Sequence, residues 1–294
     1  MKRFTLILAV SLLHAAPTVA QIPADLRGNL GAIPPGTEVG VALLDLANGD
    51  SLWSDASWRV HAASTMKIPV LIELARRADA GTYSWDRPML VHNEFRSIVD
   101  SSPYRLHPAD DSDTTLYALE GQRLPARELA RLMIDWSSNL ATNLLVAELG
   151  APAIQATARS LGADSIVVLR GVEDQKAYDR GLSNTTTARD LAMLLAAIAQ
   201  GRAASDSSTT IMLDILSHQQ FRAGIPSGVP PGTRVASKTG NLTGINHDAA
   251  VIFPPGRPPY VLVILTRGFP TQATAEAYMA GVSRAVWQGL AVAR

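Results

Sequence analysis

Ser64 and Lys67 stand three residues apart in a chain in which only four of the 26 basic residues are lysines. On a helix, this spacing places a hydroxyl and an amine on one face, about one turn apart. Burial disfavours the charged form of a lysine, so its amine can accept the proton of a neighbouring serine. The pair predicts a nucleophile, Ser64, with Lys67 as its general base.

A lone Ser-x-x-Lys match occurs by chance about once in a chain of this length at ordinary composition. Two further motifs make the combination specific. Ser137–Asn139 reads Ser-Ser-Asn at the junction of two predicted helices, where it either projects into a cleft or caps a helix. Lys238 follows a predicted strand, and Gly240 two residues later permits close backbone approach by a ligand. The three motifs together form a specific combination that supports a site built around Ser64.

Hydrophobic patterning predicts the elements that must carry these motifs. We expect an N-terminal hairpin at Glu38–Trp53 and a buried helix that carries Ser64 at Ser64–Ala80. A helical region at 125–200 follows, then three strands within Arg234–Thr266 and a closing helix at Ala273–Val292. This order predicts an α/β (α+β) fold in which an antiparallel sheet lobe, built from both termini, receives an inserted all-helical lobe. We assign about 21–60 and 202–294 to the sheet lobe and about 61–201 to the helical lobe.

The first twenty residues have the pattern of a secretory signal peptide. Lys2 and Arg3 precede the apolar run Phe4–Leu13, and small residues lead to a cleavage site near Ala20. The chain has no cysteine, so it offers no disulfide and no thiol for a lipid anchor. We therefore expect a periplasmic or secreted monomer without a membrane anchor.

Composition excludes some classes of partner. The chain is 47% hydrophobic and 18% charged with a formal net charge of zero, which is typical of a globular protein. It carries no basic excess that would bind nucleic acid or a membrane surface. We expect a small-molecule substrate and no nucleic-acid partner.

The motifs Ser64 to Lys67, Ser137–Asn139 and Lys238 to Gly240 resemble those of the penicillin-binding, active-site-serine family, and most closely its class A β-lactamase branch. Met133–Leu145 also resembles the helix-junction segment of that family, and Asn184–Thr187 the stretch after its Ω-loop. The likeness covers nearly the whole mature chain. It implies a β-lactamase/transpeptidase-like fold, acyl transfer through a covalent serine intermediate, and neither a metal nor an organic cofactor.

The resemblance also implies roles in acylation. Ser64 would be acylated, Lys67 would be its base, and Ser137 would relay a proton to the leaving nitrogen. The backbone amides of Ser64 and Asn241 would form the oxyanion hole.

Further residues would hold the substrate by the same resemblance. Asn139 would bind the substrate amide, while Lys238 and Thr239 would bind its carboxylate, with Gly240 allowing close approach. His247 starts the next strand, where the family often places a cationic carboxylate anchor, although a lone histidine is more often structural.

The chain departs from the class A pattern in three places. Ser138 replaces an aspartate in the second motif. The Glu-x-x-Leu-Asn segment that positions the deacylating water is missing from Leu169–Arg180, where Glu173 is the nearest candidate; the alternative is a solvated loop carboxylate. The acidic stretch Val91–Glu120 lengthens the first spacing, either as a wall of the cleft or as a surface insertion.

Three functions stay open at this point. A serine β-lactamase that hydrolyses the lactam amide is the leading hypothesis. The alternative is a D-alanyl-D-alanine peptidase acting on peptidoglycan stem peptides, or a serine esterase, on the same fold; the missing segment favours it. A non-catalytic peptidoglycan-binding or sensor module would not require two site lysines in so lysine-poor a chain.

Overall fold

The computed structural model of the protein describes residues 22, 26, 28 and 31–292. The predicted leader, 1–20, lies outside the described residues. The eleven strands described are β1 Glu38–Asp45, β2 Ser51–Ser54, β3 Val60–His61, β4 Pro88–Leu90, β5 Phe95–Arg96, β6 Pro103–Tyr104, β7 Arg123–Pro125, β8 Thr185–Thr186, β9 Arg234–Leu242, β10 Ile245–Phe253 and β11 Tyr260–Arg267. The eight α-helices described are α1 Lys67–Asp79, α2 Ala126–Asp135, α3 Asn139–Leu149, α4 Ala151–Ser160, α5 Gln175–Asp179, α6 Ala188–Ala199, α7 Asp206–Ser217 and α8 Gln272–Val292.

A five-stranded antiparallel sheet joins the two ends of the chain. Its strand order is β2-β1-β11-β10-β9, with Glu38 of β1 opposite Arg267 of β11. The turn after Asp45 leads into β2, which pairs antiparallel with β1, so the predicted N-terminal hairpin is present. This arrangement confirms the predicted fold class, with helices inserted between strands from both termini.

Both faces of the sheet are buried, which sets the pattern of its side chains. On β11, Val261, Val263 and Leu265 pack with the helical side of the molecule, whereas Leu262 and Ile264 pack with α8 and the N-terminal segment. Successive residues of a strand point to opposite faces, so a strand covered on both sides, such as β11, is apolar at nearly every position.

Helix α1 runs through the middle of the helical lobe. Every residue from Ile68 to Ala75 is buried, and α1 contacts α2, α3, α4, α6 and α7. The sequence predicted this burial. Pro69 lies in the first turn, where its missing N–H has no intrahelical acceptor in any case, so the proline is accommodated there.

Helix α7 was not predicted. It occupies part of the segment assigned from sequence to the sheet lobe, but it packs against α1 and α2 as well as β9. Ser205 caps it by accepting a hydrogen bond from the Ser208 backbone N–H at 3.3 Å. The helical side of the molecule therefore extends beyond residue 201.

Among the described helices, none has the length and apolar character that a membrane-spanning helix needs.

The burial of α1 gives a prediction for stability. Leu71 is fully buried, so Leu71→Ala should lower the free energy of unfolding by about 2–5 kcal/mol through lost transfer energy and the cavity left behind. Leu90 is 43% exposed, and Leu90→Ala should change it by no more than about 0.5 kcal/mol. Urea unfolding followed by circular dichroism measures both variants. Equal effects would contradict the central position of α1.

Candidate active site

Ser64 lies in a short 3₁₀ turn, Ala63–Met66, that leads directly into α1. Its side chain lines a cleft of about 250 Å³ together with Asn139, Glu173 and Asn241. Strand β9 passes beside this turn. A Cβ atom on Gly240 would lie 3.1 Å from the Ser64 backbone nitrogen, so glycine allows the strand to approach the nucleophile.

Lys67 is fully buried at the start of α1. Its Nζ donates to the Ser137 carbonyl oxygen at 2.6 Å, to Ser137 Oγ at 3.2 Å and to Asn139 Oδ1 at 2.9 Å. All three acceptors belong to the second motif. The amine therefore joins the nucleophile helix to the junction between α2 and α3.

Burial lowers the pKa of Lys67 from 10.5 to about 7, against the opposing charges of Asp111 and Glu173. A large fraction of the amine is thus neutral near pH 7, which is the form that can take a proton. The same residue would be fully protonated if it were exposed. That Lys67 acts as the base for Ser64 stays a prediction.

Ser137 connects the two site lysines. Its Oγ accepts hydrogen bonds from Lys67 Nζ and from Lys238 Nζ, the latter at 3.0 Å. Its backbone has a φ of +61°, in the left-handed region that non-glycine residues rarely adopt. Ser138 accepts a hydrogen bond from the Ala141 N–H at 3.3 Å and caps α3, so the motif both caps a helix and supplies site groups.

Lys238 is fully buried behind the cleft. Its Nζ also donates to the Thr239 carbonyl oxygen at 2.9 Å. Burial and the charge of Lys67 hold the pKa of Lys238 well below its ordinary value. Thr239 is 8% exposed. Lys238 is thus placed to act on the site through Ser137, while Thr239 is the member of the motif nearer to solvent.

Glu173 lines the cleft opposite the second motif. Its Oε1 accepts a hydrogen bond from Asn139 Nδ2 at 3.2 Å, so Asn139 lies between Lys67 and Glu173. Partial burial, followed by the charge of Asp110, raises the pKa of the Glu173 carboxyl. Glu173 has a φ of +61°. It lies in the site rather than on a solvated loop away from it.

His247 does not reach the cleft. It is fully buried, its Nε2–H donates to the His61 carbonyl oxygen at 3.0 Å, and its Nδ1 accepts from the Thr266 N–H at 3.2 Å. Burial lowers the pKa of His247 to about 4, so the ring is neutral. These contacts correct the expectation that His247 anchors a substrate carboxylate; its role is structural.

The segment Val91–Glu120 contributes none of the residues that line the cleft, as far as the chain is described. It contacts the site from behind. The Asp111 carboxylate accepts hydrogen bonds from the backbone N–H groups of Asn139 and Leu140. The sequence showed an acidic stretch here, but nothing in the local pattern identified Asp111 as a partner of the second motif.

Sequence reasoning also missed part of the cleft wall. His61 and Tyr178 lie on one side, with ring centroids 6.2 Å apart, and Leu242 and Thr243 line the cleft too. Over the described part of the chain, no group of three or more histidine, cysteine, aspartate or glutamate side chains is arranged to hold a metal ion.

The arrangement is typical of an active-site-serine hydrolase: a serine lies just before a buried helix, a lysine with a lowered pKa follows it, and a second serine contacts two lysine amines. Comparison with known proteins gives its family. The family model described as "Beta-lactamase enzyme family" matches residues 27–290. The chain therefore belongs to the beta-lactamase enzyme family, within its class A serine branch.

Individual relatives agree. The chain is 29% identical to the β-lactamase Toho-2 of Escherichia coli over 86% of this chain and 85% of that one. A β-lactamase structure from Sphaerobacter thermophilus is 30% identical, with a TM-score of 0.74 over 87% and 92% of the two chains. The structure of PBP-A is 26% identical, with a TM-score of 0.78 over 92% and 98%. A mutant of PBP-A was solved as an acyl-enzyme complex with penicillin G.

The burial of Lys67 predicts its titration. With isotope-labelled lysine side chains, the Lys67 resonance should titrate in NMR spectra with a midpoint near pH 7, because the buried site favours the neutral amine. Lys67→Arg identifies the signal by removing it. Glu173→Gln removes a nearby negative charge and should move the Lys67 midpoint to lower pH. A midpoint near the ordinary 10.5 would show that the amine is always charged at neutral pH.

Proposed function

We propose that the protein hydrolyses the amide bond of β-lactams through an acyl-Ser64 intermediate. The observation that carries this proposal is the buried Lys67, whose pKa of about 7 lets it act as a base while its hydrogen bonds hold Ser137 and Asn139 at the cleft. Family membership and the β-lactamases among its relatives support the same reaction.

Acylation begins when the neutral Lys67 amine accepts the Ser64 hydroxyl proton. Ser64 Oγ then attacks the lactam carbonyl carbon, and the developing oxyanion is held by the backbone N–H groups of Ser64 and Asn241. Ser137, which contacts both lysine amines, donates its hydroxyl proton to the leaving nitrogen and recovers one from Lys67. The lactam C–N bond breaks and Ser64 carries the acyl group.

Binding uses the two remaining motifs. The Asn139 side-chain amide contacts the substrate amide, and Thr239 contacts the substrate carboxylate. Lys238 donates hydrogen bonds to the Thr239 carbonyl oxygen and to Ser137 Oγ, so it positions both residues. Gly240 keeps the edge of β9 close enough to Ser64 for the substrate to bind along it.

Deacylation requires a base for water. We assign this role to Glu173, because it lines the same cleft as Ser64 and its raised pKa makes it a stronger base than an ordinary carboxylate. Glu173 removes a proton from water, and the resulting hydroxide attacks the acyl carbon. The bond between that carbon and Ser64 Oγ then breaks, and the proton passes from Glu173 to Ser64 Oγ, which restores both groups. The hydrogen bond from Asn139 orients its carboxylate.

The proposed location is outside the cytoplasm. The pattern of residues 1–20 supports export to the periplasm or the medium, with cleavage near Ala20. The mature chain would act there as a monomer on small molecules that enter the cell envelope.

The nucleophile assignment is tested by intact-protein mass spectrometry with benzylpenicillin. The wild-type protein should form a transient adduct on a peptide containing Ser64 while absorbance shows loss of far more than one equivalent of lactam. Ser64→Ala should form none, because its side chain cannot attack. Ser183→Ala should behave as wild type, because Ser183 precedes the cleft residue Asn184 in sequence but is not among the described residues that line the cleft. An adduct that persists in Ser64→Ala would rule out Ser64.

A stable one-to-one adduct in the wild type, without turnover, would instead indicate a penicillin-binding peptidase. The structural similarity of the chain to PBP-A, with a TM-score of 0.78, is the reason to test for this alternative.

Glu173 is tested by trapping. Glu173→Gln keeps the shape of the side chain but removes its basicity, so the acyl-enzyme should accumulate and turnover should fall by about 10²- to 10⁴-fold. Glu94→Gln, an exposed glutamate paired with Arg96, is the matched control and should turn over normally. Turnover in Glu173→Gln equal to the control would remove Glu173 from the mechanism.

A further inference from the structure

Asp111 holds the second motif from a different part of the chain. The Asn139 backbone N–H donates to its Oδ1 at 2.8 Å and its Oδ2 at 3.0 Å, and the Leu140 N–H donates to Oδ2 at 2.9 Å. Tyr117 Oη also donates to Oδ2, at 2.9 Å. These two N–H groups are the first of α3 and have no intrahelical acceptor. Asp111 therefore caps α3 across 28 residues of sequence.

The site depends on the backbone that Asp111 holds. Asn139 begins α3, and its side chain contacts both Lys67 and Glu173. Two residues earlier, Ser137 adopts a left-handed backbone that surrounding contacts must maintain. Ser138 stands where the class A pattern has aspartate, and its hydroxyl caps only the Ala141 N–H, at 3.3 Å. The N–H groups of Asn139 and Leu140 are left to a carboxylate from the 91–120 segment.

Asp111 also acts on Lys67 through charge. Three charged groups influence the buried amine: the carboxylates of Asp111 and Glu173, which favour its protonated form, and the ammonium of Lys238, which is coupled to it with the opposite sign. Ser137 and Asn139, which contact the amine directly, are uncharged. Removing the Asp111 charge leaves Glu173 as the carboxylate that favours protonated Lys67, so that form becomes less stable; Lys238 has other carboxylates, Asp248 and Asp135, acting on it.

We propose that Asp111 is a positioning residue for acylation. It fixes Ser137 and Asn139 against Lys67, and its negative charge stabilises the protonated form of Lys67 beside Lys238. The 91–120 segment thereby acts as a support for the second motif. This inference rests on the proposed acyl-transfer function, and it concerns how the machinery is held rather than which residues react.

The test is single-turnover acylation by a chromogenic cephalosporin over a range of pH. Asp111→Asn should reduce the acylation rate constant at neutral pH by about 10- to 100-fold, because small displacements of reacting groups are costly. Its acid limb should move to lower pH, because Lys67 loses a proton more easily. Asp111→Ala should be slower than Asp111→Asn, since the amide oxygen of asparagine can still accept one backbone bond.

Asp113→Asn is the matched control. Asp113 lies in the same segment and is more deeply buried, but its carboxylate accepts hydrogen bonds only from Thr115, at 2.6 and 3.0 Å, within the described chain. This variant should keep the wild-type rate and acid limb. A loss caused merely by disturbing the segment would appear in both variants.

The outcomes separate this inference from the proposed function. No acylation of the wild-type protein would overturn the function. Wild-type acylation with a folded Asp111→Asn variant of unchanged rate, or with an unmoved acid limb, would overturn the inference alone.

If Asp111→Asn does not fold, Tyr117→Phe decides. It removes one hydrogen bond from Asp111 but keeps the carboxylate and its bonds to α3. Slower acylation with an unmoved acid limb would support the positioning role, and a wild-type rate would overturn it.

Discussion

A buried amine is the constraint on which the rest of this site depends. Lys67 has no access to solvent, so its polar hydrogens must be satisfied by protein groups or its charge must be given up. Here protein groups bond the amine, and its charge is also partly given up. Three acceptors surround Nζ, and the pKa falls to about 7. Reactivity and structural order thus come from the same burial.

The hydrogen bonds around Lys67 are accompanied by a strained backbone at Ser137. The Ser137 carbonyl accepts from Lys67, and the same residue has a φ of +61°. A non-glycine residue in this region costs about 1–3 kcal/mol unless its surroundings impose it. Here they do: Lys238 bonds the Ser137 hydroxyl, and Asp111 bonds the start of α3.

The sequence predicted local structure well and distant contacts poorly. Helix α2, Ala126–Asp135, lies in the predicted helical region 125–200, because an amphipathic period is a local property. His247 was misplaced because β10 is covered on both faces, so alternation along the strand does not indicate which side chains reach the cleft. Asp111 was not identified because a cap supplied across 28 residues leaves no periodic signal.

The segment Leu169–Arg180, which contains Glu173, is also held by contacts that the sequence did not reveal. The family motif is missing from it, and its position is fixed by contacts with the hairpin β5–β6. The Asp174 carboxylate accepts from Ser97 Oγ at 2.9 Å and from the Ile98 N–H at 3.0 Å. Lys176 pairs with Asp100. Neither the hairpin nor its ionic contact could be inferred before the chain was folded, although both partners were visible as charged residues.

The strand order has a consequence for the order in which the molecule is assembled. Strand β1 pairs with β2 locally, but its other neighbour is β11, more than 200 residues later. Lys238 and Gly240 likewise come from the late part of the chain. Such distant pairings form slowly and only once both segments are available. During synthesis, β1 therefore cannot complete its pairing until Tyr260–Arg267 has been made, and the sheet closes late.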